Sequence, residues 1–172
     1  MICLTMQFEP ISDLRECTGA HRKLLAHLDS NWPENNSRII AIDGLDGAGK
    51  TTIANFLAWQ LGIAAISTDL FFSCSPNPEL KYRDDEIEGI LARRKELERV
   101  TIIEGILILK LLKRIGFEAE YLIQIEKRDH STDLLSKKQL DAYYIEFQAQ
   151  RLPDYNFRWE RIGRPVTAED FD

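Results

Sequence analysis

The residues that most clearly indicate chemistry are the glycine-rich segment 44–51, Gly-Leu-Asp-Gly-Ala-Gly-Lys-Thr. Gly44, Gly49, Lys50 and Thr51 fill every fixed position of the pattern G-x-x-x-x-G-K-[ST], which is typical of a phosphate-binding loop. Backbone N–H groups must approach a phosphate chain closely, and glycine permits this because it has no side chain. The spacing therefore predicts a nest of main-chain amides that leads into a helix, whose first N–H groups point at an anion.

Each loop position has an expected role in binding a nucleotide and its metal ion. Lys50 would reach the outer phosphates as a catalytic cation, and the Thr51 hydroxyl would be a ligand of Mg²⁺. The other expected nucleotide-binding residues are Gly44, Asp46, Gly47, Ala48, Gly49 and Thr52. Asp43 is interpreted as a turn-forming residue, although its carboxylate and that of Asp46 could also reach the metal's ligand shell.

The segments on either side of the loop have the patterns that a phosphate-binding loop requires. Residues 38–43 are a short β-branched apolar run, which favours a buried parallel strand. After the loop, Ile53, Leu57 and Leu61 recur every four residues and predict a helix that Gly62 can end. Strand, glycine-rich loop and helix thus follow one another in the expected order.

Strand and helix patterns go on alternating along the chain. Further strands are predicted at 63–66, 100–103 and 121–125. Further helices are predicted from Asp84 onward, at 106–115 and at about 132–149. The helix that begins at Asp84 would have four apolar residues on one face, Ile87, Ile90, Leu91 and Leu97. This alternation predicts an α/β fold, a mainly parallel sheet between two helical layers, within a single domain spanning 1–172. One or two amphipathic helices are expected between about 11 and 29, within an N-terminal extension over 1–37. No strand is evident after residue 151.

Acidic residues follow two of the predicted strands, where parallel sheets place their ligands. Asp69 comes after the second strand and could accept the proton of a substrate hydroxyl as it attacks a phosphate. Glu104 ends the third strand and could assist Mg²⁺, and Gly105 beside it indicates close backbone packing. The alternatives are a helix-capping aspartate and a solvent-facing strand-end acid.

Cations that could close over a transferring phosphoryl group follow the fourth strand. Arg128 and Arg151 are the preferred candidates, whereas Lys127, Lys137 and Lys138 are interpreted as a solvated basic face.

Aromatic and polar residues elsewhere indicate an acceptor pocket and part of the core. Tyr82, Arg83 and Asp84 lie where they could line a pocket for the phosphate acceptor. Three aromatic residues further along the chain have helical spacing, which favours packing over a binding role: Tyr143, Tyr144 and Phe147.

Composition limits the classes of partner. The net charge of −6 gives no electrostatic reason to expect nucleic acid or an anionic membrane surface. The three cysteines have neither metal-ligand spacing nor an even pairing, which favours a reduced, cytoplasmic setting. The first residues lack a basic segment followed by an apolar stretch, so the sequence does not predict a signal peptide. The oligomeric state stays open.

Three segments together resemble the uridine kinase-like phosphate-loop kinases, which also include nicotinamide riboside, pantothenate and phosphoribulose kinases. They are the loop 44–52, Ser67-Thr68-Asp69-Leu70-Phe71-Phe72 and Ile102-Ile103-Glu104-Gly105-Ile106-Leu107. The loop by itself is also similar to that of thymidylate kinases. The resemblance implies a P-loop NTPase fold, Asp69 as the base near the acceptor hydroxyl, Glu104 close to metal and substrate, and Lys127-Arg128-Asp129 at the start of a lid. The lid would be short, within about 127–151.

Motif and resemblance lead to one main hypothesis and two others. The main one is an ATP- and Mg²⁺-dependent kinase that phosphorylates a hydroxyl of a small metabolite, such as a nucleoside, vitamin or sugar. A catalytically silent ATP-binding regulatory module is the second, because the region after residue 130 is short. A GTPase is the third, and the lack of an Asn-Lys-x-Asp run in the sequence counts against it.

Overall fold

The computed structural model describes residues 19–31, 38–73, 81–126, 137–148 and 152–159. Its helices are α1 (Gly19–Ser30), α2 (Lys50–Leu61), α3 (Asp84–Glu96), α4 (Ile108–Arg114) and α5 (Lys137–Gln148), with a 3₁₀ helix at Thr68–Phe71. Its strands are β1 (Ile39–Gly44), β2 (Ala64–Ser67), β3 (Thr101–Gly105), β4 (Tyr121–Ile125) and β5 (Tyr155–Phe157). The strands form one sheet in the order β2-β3-β1-β4-β5, and every pairing is parallel.

Strand β1 lies in the middle of the sheet and is buried on both faces, as its continuous apolar pattern predicts. Ile40 and Ile42 pack in one apolar cluster with α1 and α2. Ile39 and Ala41 point the other way into a second cluster with α3 and α4. Since successive side chains of a strand point to opposite faces, β1 alone demonstrates the predicted helix–sheet–helix layering.

Two features of the elements were not evident from the sequence pattern. The sequence indicated no strand after residue 151, yet Tyr155–Phe157 pairs in parallel with β4 and buries Phe157 completely. Of the four apolar residues expected on one face of α3, Ile87 and Leu91 are buried, whereas Ile90 and Leu97 are 37% and 44% exposed.

Several local features agree with the sequence pattern. Gly62 ends α2 in a left-handed conformation, with φ 63°, and its N–H bonds to the Ala58 carbonyl. Helix α1 lies within the predicted N-terminal helical region, whose residues 11–18 are outside the described part of the chain. Among the described helices, none is long and apolar enough to cross a membrane.

Candidate nucleotide-binding site

The glycine-rich loop connects β1 to α2 at the carboxyl end of the central strand. Helix α2 begins at Lys50, and its N-cap residue Gly49 has φ 91°, a left-handed conformation that favours glycine. The first N–H groups of a helix have no partner within it, and the helix dipole adds positive potential at the same place. The amino end of α2 therefore carries positive potential at the position where the motif predicts a phosphate site.

Two carbonyl groups of the loop are engaged by donors of the protein itself. The Leu45 carbonyl accepts hydrogen bonds from the Ala48 N–H at 3.2 Å and from Lys50 Nζ at 2.9 Å. The Ala48 carbonyl accepts one from Trp159 Nε1 at 2.7 Å. Carbonyl oxygens repel phosphate oxygens, so a loop whose carbonyls are held by other groups can present its N–H groups to an anion.

Lys50 is buried, with 7% of its surface exposed, and it is surrounded by acidic groups. Burial lowers the pKa of Lys50, while Glu104, Asp43, Asp69 and Asp46 act in the opposite direction, in that order. These four residues lie in the loop and at or just after the ends of three strands, and their charges act on Lys50. The structure thus brings the predicted acids around the predicted lysine.

Thr51 and Glu104 are joined across the site. The Thr51 hydroxyl donates to Glu104 Oε1 at 2.9 Å, while Glu104 Oε2 is buried and has no hydrogen-bond partner among the described residues. A buried carboxylate oxygen without a donor is costly and calls for a cation or a water ligand. Hydroxyl and carboxylate oxygens suit Mg²⁺, so the donor set fits that ion. No group of three or more His, Cys, Asp or Glu side chains in the described part of the chain could hold a metal, so other ligands would have to come from nucleotide oxygens and water.

Asp69 lies on the 3₁₀ helix that follows β2, and its side chain is exposed. This helix is packed tightly against the end of β3. A Cβ placed on Gly105 would lie 2.1 Å from Thr68 Oγ1, and Thr68 is fully buried. The close packing expected at Gly105 is therefore present, where the 3₁₀ helix that carries Asp69 meets the end of β3.

An aromatic pair lies beside Asp69. The rings of Phe72 and Tyr82 are stacked, with centroids 4.9 Å apart, where the two residues form an antiparallel bridge. Burial raises the pKa of Tyr82 to about 12, so its hydroxyl stays protonated and donates to the Ile106 carbonyl at 3.2 Å.

Arg83 and Asp84, the other two residues expected to line an acceptor pocket, have partners already. Arg83 donates to the Leu70 carbonyl at 2.9 Å and pairs with Glu86. Asp84 pairs with Arg114 through two hydrogen bonds. All three residues expected to line an acceptor pocket thus have partners within the protein, and Tyr82 is the one on which the charge of Asp69 also acts.

Asp43, directly before the loop, is held by the protein. Its Oδ1 accepts a hydrogen bond from the Gly44 N–H at 2.8 Å, and its Oδ2 accepts one from the Tyr143 hydroxyl of α5. Burial raises the pKa of Asp43, and these two hydrogen bonds oppose that shift, together with Lys50. The carboxylate of Asp43 therefore links the end of β1 to α5 rather than forming a turn.

Two contacts of the loop region were missed by sequence reasoning. Tyr143 does pack as predicted, with its ring 4.9 Å from that of Phe147, but its hydroxyl also reaches Asp43. No sequence pattern predicted a role for Trp159, which contacts the loop directly. No local pattern marks either residue, since each contact joins positions at least 100 residues apart.

The candidate cations after β4 lie outside the described residues. This applies to Arg128 and Arg151, and equally to Lys127. Lys137 and Lys138 begin α5. The catalytic role of Arg128 therefore stays a prediction.

No family profile and no curated protein matches this sequence. Solved structures do resemble it. A possible uridine kinase from Bacillus stearothermophilus is 16% identical with a TM-score of 0.51, and the match covers 78% of this chain and 99% of that one. A sugar kinase from a Janibacter species is 15% identical with a TM-score of 0.47, covering 71% and 84%.

The first of these likenesses concerns the fold. With its parallel five-stranded sheet between helical layers, the chain shares the α/β fold of that possible uridine kinase, in agreement with the fold that the sequence resemblance implied.

Proposed function

We propose that the protein is an ATP- and Mg²⁺-dependent phosphotransferase that phosphorylates a hydroxyl group of a small metabolite. The observation that carries the proposal is the convergence on Lys50 of the loop, the Thr51–Glu104 pair and Asp69. A kinase needs a phosphate cradle, a metal site and a group that receives the acceptor's proton. Each need has a candidate residue at this edge of the sheet, and the fold of a possible uridine kinase lends further support.

The residues have distinct proposed roles. The loop amides and Lys50 bind the β- and γ-phosphates, which requires Lys50 to leave the Leu45 carbonyl. Thr51 and Glu104 hold Mg²⁺, which neutralises phosphate charge in a site that four carboxylates make acidic. Asp69 orients the acceptor hydroxyl and takes its proton, and Arg128 offsets charge as the phosphoryl group moves. Most of the rate acceleration comes from positioning and electrostatics.

The proposal is tested by incubating the protein with Mg²⁺ and γ-labelled ATP and a panel of nucleosides, vitamins and sugars. Transfer of label to one acceptor class is expected from the wild type. Asp69→Asn should bind ATP nearly as well and turn over far more slowly, whereas Lys50→Ala should lose affinity for the magnesium nucleotide. Equal loss of binding and turnover in Asp69→Asn would make Asp69 structural.

The same experiment separates the alternatives. A silent regulatory module would bind ATP without labelling any acceptor. A GTPase would release labelled phosphate from GTP with no acceptor present and would prefer GTP in a thermal-shift assay.

A further inference from the structure

Trp159 contacts the phosphate-binding loop at two points. It comes two residues after the end of β5, and its Nε1–H donates to the Ala48 carbonyl at 2.7 Å. Its ring lies against Gly49, where an added Cβ would lie 2.5 Å from Cζ2 and 3.1 Å from Nε1. Gly49 is therefore restricted to glycine both by its φ of 91° and by this ring.

The hydrogen bond fixes one peptide plane of the loop. A trans peptide is planar, and its C=O and N–H bonds point in opposite directions. Because the indole holds the Ala48 carbonyl, the Gly49 N–H of the same peptide must point away from Trp159. That N–H belongs to the motif's glycine directly before Lys50, where the cradle needs a donor for phosphate.

Trp159 is itself held by rings from other elements. Its ring meets that of the fully buried Phe157 edge to face at 5.1 Å and that of His21, on α1, at 5.6 Å. His21 is buried and also packs edge to face on Phe56 of α2, at 4.7 Å. Strand β5 and helices α1 and α2 thus set the indole before any nucleotide binds.

We infer that Trp159 is a positioning residue of the nucleotide site, which holds the Ala48–Gly49 peptide with its N–H presented to the phosphates. The inference rests on the proposed function, because it requires that the loop binds a nucleotide. It differs from simple packing in one respect. Packing needs only the ring, whereas presenting the amide also needs the indole N–H.

The test compares Trp159→Phe, which keeps a ring and removes the N–H donor, with Trp159→Ala. Trp59→Phe is the matched control, since that side chain is 46% exposed on α2. Trp159→Phe should bind Mg·ATP about 3- to 10-fold more weakly, the range expected for one lost hydrogen bond, and Trp159→Ala still more weakly. The KM for the acceptor should not change, and Trp59→Phe should match the wild type in both measurements.

A second readout follows the Gly49 amide itself in protein labelled with ¹⁵N-glycine. Nine glycines give a simple spectrum, in which Trp159→Phe should shift the Gly49 resonance and leave that of Gly89 in place. If Trp159→Phe binds Mg·ATP like the wild type, or if its Gly49 resonance does not move, the inference is wrong although the proposed function stands. If the wild type binds no nucleotide, both this inference and the proposed function are wrong. If Trp159→Ala does not fold, Trp159→Phe alone decides.

Discussion

At the residue scale, the Thr51–Glu104 pair is the most specific indication of a metal ion. Glu104→Gln keeps the size and the acceptor for the Thr51 hydroxyl but removes the charge. We expect Mg²⁺-dependent turnover to fall by about 10- to 100-fold, the range for groups that support a metal. The free energy of unfolding should fall as well, because Glu104 is the carboxylate that most offsets the burial of Lys50. Turnover measured against Mg²⁺ concentration, and denaturant unfolding, check the two parts.

Glu96→Gln is the control for that substitution. Its carboxylate forms an exposed ion pair with Arg93, at 2.9 Å, and such pairs contribute little. Unchanged magnesium dependence in Glu104→Gln would remove Glu104 from the metal site.

Tyr143→Phe gives a prediction about pH. The Tyr143 hydroxyl stabilises the ionised form of Asp43, so its loss should raise the already raised pKa of Asp43 further. A carboxyl group whose pKa is higher in the folded state than its unfolded value of 3.8 contributes stability that is fully present below pH 3.8. This contribution to stability is lost as the pH rises through the folded-state pKa. The variant should therefore be less stable at neutral pH by about 1.5–3 kcal/mol.

The difference between Tyr143→Phe and the wild type should shrink at low pH, where Asp43 is protonated in both. Denaturant unfolding across pH, with the ¹³Cγ titration of Asp43, measures both effects. A stability difference that stays constant with pH would show that Tyr143 acts through packing alone.

At the element scale, we expect the junction of β3 with the 3₁₀ helix to decide where Asp69 lies. Gly105→Ala would place a methyl group on buried Thr68 and push the 3₁₀ helix away from the sheet. We expect a loss of about 1–3 kcal/mol in unfolding free energy, as for other overpacked sites. Turnover should fall more than nucleotide affinity, because Asp69 moves while the loop does not.

Gly89→Ala is the matched control for the effect of adding a methyl group. Gly89 lies within α3 with open space around it, so alanine should stabilise the helix by about 0.5–1 kcal/mol. Calorimetric unfolding and kinetics with saturating acceptor measure both variants. A Gly105→Ala enzyme with wild-type kinetics would show that this packing does not set the position of Asp69.

The sequence predicted the elements whose patterns are local. β1 has a continuous apolar run and α2 a four-residue repeat, so both were found within about a residue or two of their observed bounds. β5 was missed because three residues are too few to show an alternation. Ile90 and Leu97 are partly exposed although they follow the apolar spacing, because helical spacing alone does not show where the covering elements end.

The residues of the candidate site likewise fall into those that a local sequence pattern marks and those that it does not. Loop, lysine and strand-end acids could be predicted because a fixed spacing or a strand end marks them. Trp159 and Tyr143 could not, because they reach the loop from residues distant in sequence, and only the packing of β5 and α5 brings them there.

At the scale of the whole molecule, α1 belongs to the main core. Leu28 is 1% exposed and packs in the same cluster as residues of α2, β1 and β4. Leu28→Ala should lower the unfolding free energy by about 2–5 kcal/mol. Leu152→Ala, at a side chain that is 78% exposed, should have almost no effect.

Mg·ATP should stabilise Leu28→Ala and the wild type by equal amounts. Binding to the folded state alone adds about 2.7 kcal/mol at one hundred times the dissociation constant, whatever the starting stability. Leu28 lies about two helical turns from His21, so the rings that hold Trp159 should keep their places. Thermal unfolding with and without the magnesium nucleotide measures both increments. A smaller increment in Leu28→Ala than in the wild type would mean that α1 also shapes the nucleotide site. If Leu28→Ala without nucleotide melted at the same temperature as the wild type, α1 would not belong to the cooperative core.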